Sequence, residues 1–168
     1  CISKLSHLFC TSTKKGCETL YRLGEEKWRC IQSGLLSYED MQYISDKKRY
    51  EIRNKFNIKD NQPLLLATMH SIPRDLKLTH FEVVEFFKGL KIYSKMVSSK
   101  IIITSPNNDK GNDIVKNTLK KYLKTIRNAE YIESLGGENY HALMSLAKER
   151  SVIVCGNSSS GIKEAPFY

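Results

Sequence analysis

Pro63-Leu-Leu-Leu-Ala-Thr68 decides the fold: it is a continuous apolar run, opened by a proline and closed by a polar turn. A strand with one wet face alternates apolar and polar residues, whereas an uninterrupted run suits a strand covered on both faces, as in a parallel sheet. Downstream, Phe81, Val84, Phe87, Leu90 and Ile92 recur at near-helical spacing and predict an amphipathic helix over His80 to Met96. Ile101-Ile-Ile-Thr104 reads as a second buried strand and Ser105-Pro-Asn-Asn-Asp-Lys-Gly111 as a turn. Val115, Leu119, Tyr122 and Leu123 then return helical spacing over Asp113 to Ile126. The pattern repeats with a short strand at Ala129 to Leu135, a turn at Gly136-Gly137, a helix from Tyr140 to Ala147 and a strand at Ser151-Val-Ile-Val-Cys155. Strands separated by helices pair in parallel through right-handed crossovers, so the class is a doubly wound α/β sheet.

The residues before Pro63 fit the same alternation. Leu8 to Thr13 reads as a strand, Lys14 to Gly24 as a helix, Cys30 to Ser33 as a strand, and Asp46 to Phe56 as a charged helix. With no repeat, low-complexity stretch or linker, residues 1–168 read as a single domain. The sequence stops at Pro166-Phe-Tyr168, just after a strand-to-turn-to-helix start, where a compact sheet is not expected to end. The chain therefore reads as a fragment.

Composition narrows the function classes. The 168 residues are 40% hydrophobic, enough for one domain with a real core. No apolar run approaches the roughly 18 to 20 residues of a membrane span, so no membrane partner is expected. Cys1, Cys10, Cys17, Cys30 and Cys155 are odd in number and form no CxxC pair. Free thiols and the absence of a leader point to a cytoplasmic protein without disulfides. These cysteines and His7, His70, His80 and His141 show no paired ligand spacing, so neither a metal nor a cofactor is expected. The net charge of +9 favours a phosphate-bearing partner without saying which. Lys14-Lys15, Lys47-Lys48-Arg49 and the basic residues from Lys116 to Arg127 read mostly as solvated helix faces. No RNA-binding signature, zinc finger or basic zipper accompanies them, and nucleic acid is not the expected partner.

Open parallel sheets bind ligands beyond the carboxyl ends of their strands, which directs attention to the segments following the apolar runs. The polar ones are Thr68-Met-His70-Ser71, Ser105-Pro-Asn107-Asn108-Asp109 and Gly156-Asn157-Ser158-Ser159-Ser160-Gly161-Ile-Lys-Glu164. In the last, glycine and small hydroxyl residues between strand and helix let N–H and O–H donors converge on an anion. Glu164 can then accept from a ribose diol. An N-capping serine with a capping-box-like Glu explains the same string equally well. His70 can contact a phosphate oxygen or move a proton, or be a capped loop histidine. Asn107 can bind a polar ligand group, or belong to an ordinary turn.

Gly156-Asn-Ser-Ser-Ser-Gly-Ile-Lys-Glu-Ala-Pro166, preceded by Val-Ile-Val-Cys155, resembles the signature of the hydrolysing UDP-N-acetylglucosamine 2-epimerases. Lys4-Leu-Ser-His-Leu8, Arg22-Leu-Gly-Glu25, Leu65 to His70, Pro106-Asn-Asn-Asp109 and Ser134-Leu135 support it in the family's order, so the resemblance spans nearly the whole chain. It implies part of a two-domain, GT-B-like enzyme of Rossmann-like domains, with residues 1–25 from the end of the first and 26–168 from most of the second. It implies that Ser158 and Ser159 hold the diphosphate of a UDP-sugar, Glu164 its ribose, and that Asn107 lines the UDP pocket. The backbone around Ser134, Leu135 and Gly136 would meet the uracil, with His70 near the diphosphate and reacting sugar as the catalytic residue. The implied reaction eliminates UDP to a glycal and hydrates it to N-acetylmannosamine, in the sialic-acid or the related legionaminic pathway, in a homo-oligomeric enzyme. Alone, the fragment is expected to be inactive. The sequence departs from the family at Ser71, where proline is usual, at Phe9, where a second histidine is usual, and through Gly34-Leu-Leu-Ser-Tyr-Glu-Asp40, where Gly-x-Pro-x-x-Asp is usual. The rival readings are a GT-B glycosyltransferase's nucleotide-sugar domain, a basic non-enzymatic phosphate- or nucleic-acid-binding module, and a degenerate remnant.

Overall fold

A computed structural model describes residues 2–35, 38, 41 and 44–168. Cys1 and part of the Gly34-to-Asp40 segment, whose spacing departs from the family, lie outside the described residues. The chain divides into two compact units, Cys1–Tyr43 and Ile44–Tyr168.

The first unit holds α1 (Ile2–Leu5), β1 (Phe9–Thr11), α2 (Lys14–Arg22) and β2 (Cys30–Gln32). β1 and β2 pair in parallel, with Phe9 opposite Cys30. Thr13 caps α2 by accepting from the Gly16 amide at 3.2 Å, so the helix begins where the hydroxyl stands. Lys4 Nζ lies 2.6 Å from Glu25 Oε1 and joins two of the segments that carry the family resemblance.

The second unit comprises α3 (Asp46–Lys55), β3 (Leu64–Thr68), α4 (Leu76–Met96), β4 (Lys100–Thr104), α5 (Asn112–Leu123), β5 (Ala129–Ile132), α6 (Gly136–Ser145), β6 (Val152–Gly156) and α7 (Ser160–Lys163). Its four strands form one parallel sheet in the order β5-β4-β3-β6. All five residues of β3 are buried, because the strand is paired on both edges and covered on both faces. Alternation along the strands divides the core. Leu64, Leu66 and Ile102 pack on one face with Ile52 of α3, Phe56 just beyond its end, and Ala142 to Met144 of α6. Leu65, Ala67, Ile101 and Ile103 pack on the other with Val83, Phe87 and Leu90 of α4 and Val115 and Leu119 of α5. Helices on both faces of a parallel sheet make the doubly wound class an observed one.

Several boundaries differ from the expectation. α4 starts at Leu76, ahead of His80, because Asp75 accepts from the Leu78 amide at 2.9 Å and nucleates the first turn there. Gly136-Gly137 is the opening turn of α6, and β5 stops at Ile132. α5 ends at Leu123, short of Ile126. Arg49, grouped with solvated basic residues, is only 9% exposed. It pairs with Asp46, with Glu149 at 3.2 Å, and donates to the Ile44 carbonyl at 3.0 Å. Among the described residues no helix is long and apolar enough to cross a membrane, and no cluster of three or more His, Cys, Asp or Glu side chains is placed to hold a metal.

Candidate functional site

The chain runs outward from β3 to β4 to β5, then returns to β3's other side as β6. The direction of winding therefore reverses between β3 and β6, and the crevice at such a reversal, beyond the carboxyl ends of the strands, is where open α/β sheets bind ligands. A cavity of about 360 Å³ occupies this end of the sheet. His70, Ser134, Leu135, Ser158 and Glu164 line it, which brings together five of the seven residues singled out from the sequence. Ser159 is exposed at the start of α7 and does not line the cavity. Asn107 also lies off its wall; its side chain donates to Asp109 at 2.6 Å, and its backbone reaches the site through His70.

His70 is fixed from two sides. Its ring Nδ1 accepts from the Asn107 amide at 3.1 Å, so that nitrogen carries no proton and Nε2 is the ring's donor. Its backbone is bracketed by Asn157, whose Oδ1 accepts from the His70 N–H at 2.7 Å and whose Nδ2 donates to the His70 carbonyl at 3.0 Å. Partial burial holds the imidazole below its ordinary pKa of 6.5, against an opposing pull from Asp109. The site histidine is thus a neutral hydrogen-bond donor.

Close packing of backbone makes this bracket possible. Gly156 closes β6 at φ +124°, and a Cβ there would stand 1.7 Å from the Thr68 carbonyl oxygen. The same carbonyl accepts from the Asn157 amide at 3.2 Å. Only glycine permits that approach.

Beyond Asn157, hydroxyls run in series. Tyr140 Oη lies 2.9 Å from Ser160 Oγ, which lies 3.0 Å from Ser158 Oγ. Burial raises the Tyr140 phenol above its ordinary value, so it stays protonated and each hydroxyl can donate to the next, ending at Ser158. The capping-box alternative is not realised: Ser159 makes no side-chain cap bond, and Glu164 stands at the C-terminal end of the short helix α7. Glu164 Oε2 lies 3.3 Å from His141 Nε2, a residue noted in the sequence only as a possible metal ligand. At the opposite wall α6 opens on Gly136 and Gly137, both lining the cavity, and the Gly136 amide donates to Ser134 Oγ at 3.4 Å. The first-turn amides after Gly136 have no intrahelical acceptor and suit a carbonyl-rich ligand. Sequence reasoning missed Asn157, Tyr140 and His141; only Asn157 lay inside a segment already marked as polar.

A doubly wound parallel sheet with a crevice of about 360 Å³ at its topological reversal defines an open α/β class of protein whose members bind ligands at that place. The family model for UDP-N-acetylglucosamine 2-epimerase matches residues 1–168, and the chain belongs to that family. It is 30% identical over 168 residues to the GDP/UDP-N,N'-diacetylbacillosamine 2-epimerase (hydrolyzing) of Campylobacter jejuni, covering 99% of this chain and 42% of the relative. It is 25% identical over 169 residues to the UDP-N-acetylglucosamine 2-epimerase of Neisseria meningitidis, covering 99% of this chain and 41% of the relative. The chain thus spans about two fifths of the curated relatives it matches. A solved structure of S. aureus MnaA with UDP has the same fold, with a TM-score of 0.68 at 20% identity, covering 99% of this chain and 41% of that one.

Proposed function

We propose that residues 44–168 form the UDP-binding half of a hydrolysing UDP-sugar 2-epimerase. In the whole enzyme this half acts with a first domain that supplies further acid and base groups, and alone it is inactive. The segments resembling that first domain are residues 1–25. The observation that carries the reading is the gathering of His70, Ser158 and Glu164 with the Ser134-Leu135 turn around one crevice. Its chemistry suits UDP along its length. The first-turn amides of α6 after Gly136 can donate to uracil carbonyls, Glu164 can accept from the ribose diol, and Ser158 and the His70 ring can donate to the diphosphate.

The proposed reaction takes UDP-N-acetylglucosamine, or a diacetamido analogue, and water to N-acetylmannosamine, or its counterpart, and UDP. UDP leaves by elimination across C1 and C2 to give a glycal, and water then adds with C2 inverted. Negative charge grows on the departing diphosphate, so donors fixed before the reaction stabilise the transition state more than the ground state. Ser158, backed by Ser160 and Tyr140, is one such donor. The Nε2–H of His70 is the other. Because Nδ1 is occupied by the Asn107 amide, His70 stabilises the leaving group and does not take the C2 proton.

Calorimetric titration with UDP, beside CMP and inorganic phosphate, tests the site. Selective UDP binding that weakens by about 1–3 kcal/mol in Glu164→Ala is the expected result, from loss of charge-assisted bonds to the ribose. The whole enzyme should then release UDP from the sugar nucleotide without an acceptor. A whole enzyme that ignored UDP-sugars would end the reading, and UDP release only in the presence of an acceptor would favour a glycosyltransferase.

A further inference from the structure

We propose that Asn157 is a positioning residue for His70, its carboxamide acting as a one-residue strand partner that fixes where the imidazole points. The inference rests on the reading of the crevice as a UDP site, which it deepens. The pairing of β3 with β6 ends at Thr68 opposite Gly156. Past that point the chains separate toward α4 and α7, and ladder bonds no longer hold the backbone that carries His70. The Asn157 side chain takes over both roles of a ladder neighbour, accepting from the His70 N–H at 2.7 Å and donating to its carbonyl at 3.0 Å. A carboxamide is suited to this because it alone among short side chains carries an acceptor and a donor side by side in one plane. With its backbone held on both sides, His70 projects its ring to the β4 loop, where Nδ1 meets the Asn107 amide. The loops after β3, β4 and β6 are thereby joined at one residue, the β6 loop through the His70 backbone and the β4 loop through its ring, and the bond to Asn107 depends on the bracket at Asn157.

The Asn107 amide is the reporter, since its acceptor is the imidazole and not Asn157. Hydrogen exchange by NMR is measured on the ligand-free protein for Asn107, with core amides of β3 and β4 as the internal control for folding. In Asn157→Ala, Asn107 exchange should rise at least roughly tenfold against those core amides, His70 should titrate closer to 6.5, and UDP affinity should fall by roughly fivefold or more. Asn157→Asp, which is isosteric and keeps the acceptor for the His70 N–H, should fall between Ala and wild type in Asn107 exchange. It also serves if the Ala variant does not fold. Asn107 exchange within twofold of wild type in the folded variants would overturn the proposal. If the whole enzyme ignored UDP-sugars, the functional reading would fall, whereas the exchange measurements would still decide the role of Asn157.

Discussion

Replacing Gly156 by alanine tests whether the crevice depends on the backbone contact at the end of β6. The added Cβ would stand 1.7 Å from the Thr68 carbonyl oxygen and 2.7 Å from its carbon, both backbone atoms of the central strand that cannot swing aside as a side chain would. Relief requires moving β6 away from β3 at its last register pair and abandoning the Asn157 amide bond to Thr68. A non-glycine residue held at φ +124° adds about 1–3 kcal/mol of strain. The lost backbone bond adds about 1 kcal/mol, for a total of about 2–4 kcal/mol. Against a typical stability of about 5–15 kcal/mol this is a large fraction, and a domain of this size should lose roughly 10 °C in melting temperature. Urea denaturation should give a lower midpoint with an unchanged slope, because the surface exposed on unfolding is the same. The control is Gly89→Ala, at an exposed interior position of α4 where the new methyl meets nothing within 4 Å. It should stabilise by up to about 1 kcal/mol from helix propensity alone. A Gly156→Ala variant within about 1 kcal/mol of wild type would refute the packing account, since strain alone is expected to reach that size.

Other consequences are as directly measurable. Ser71 is buried with its Oγ lacking a hydrogen-bond partner among the described residues, so Ser71→Ala should leave stability unchanged or raise it by about 1 kcal/mol in the same urea assay. Burial lifts the Cys155 thiol to about 11, whereas Cys10 is exposed. Site-resolved alkylation at pH 7.5 should therefore modify Cys10 well before Cys155. His70 has a folded-state pKa below its unfolded 6.5, so its neutral form is favoured by folding. The stability this contributes is present above pH 6.5 and is lost as pH falls through the folded value, and His70→Gln should flatten that part of the stability profile.

What the sequence makes legible follows from how locally each feature is specified. β3 and β4 are readable because strands covered on both faces leave an unbroken apolar run, and their lengths agree with the runs to within a residue. The start of α6 is not, because a glycine pair reads as a turn while the apolar periodicity begins only at Tyr140. Ser158 and Glu164 can be singled out because strand, glycine, hydroxyls and acid follow one another along the chain. Asn157 sits among them but its partner is the backbone of a residue 87 positions away, and nothing in its own neighbourhood announces that bond. His141 is hidden for the same reason: the carboxylate it faces belongs to another loop, 23 positions later. Arg49 looks like surface charge until Glu149, 100 positions away, is brought beside it.

The position of β6 beside β3 sets an order of events during folding. β3, α4, β4, α5 and β5 are successive neighbours whose contacts close over short stretches of chain. β6 must instead come back past all of them to the strand that began the sheet, a long loop closure that forms slowly and late. The Gly156 contact, the bracket on His70 and the row of serines all arrive with that strand. On a ribosome the half of the crevice around Ser134 would exist first, and a ligand that needs both halves could engage only once the last strand had docked, making its binding a readout of completed folding.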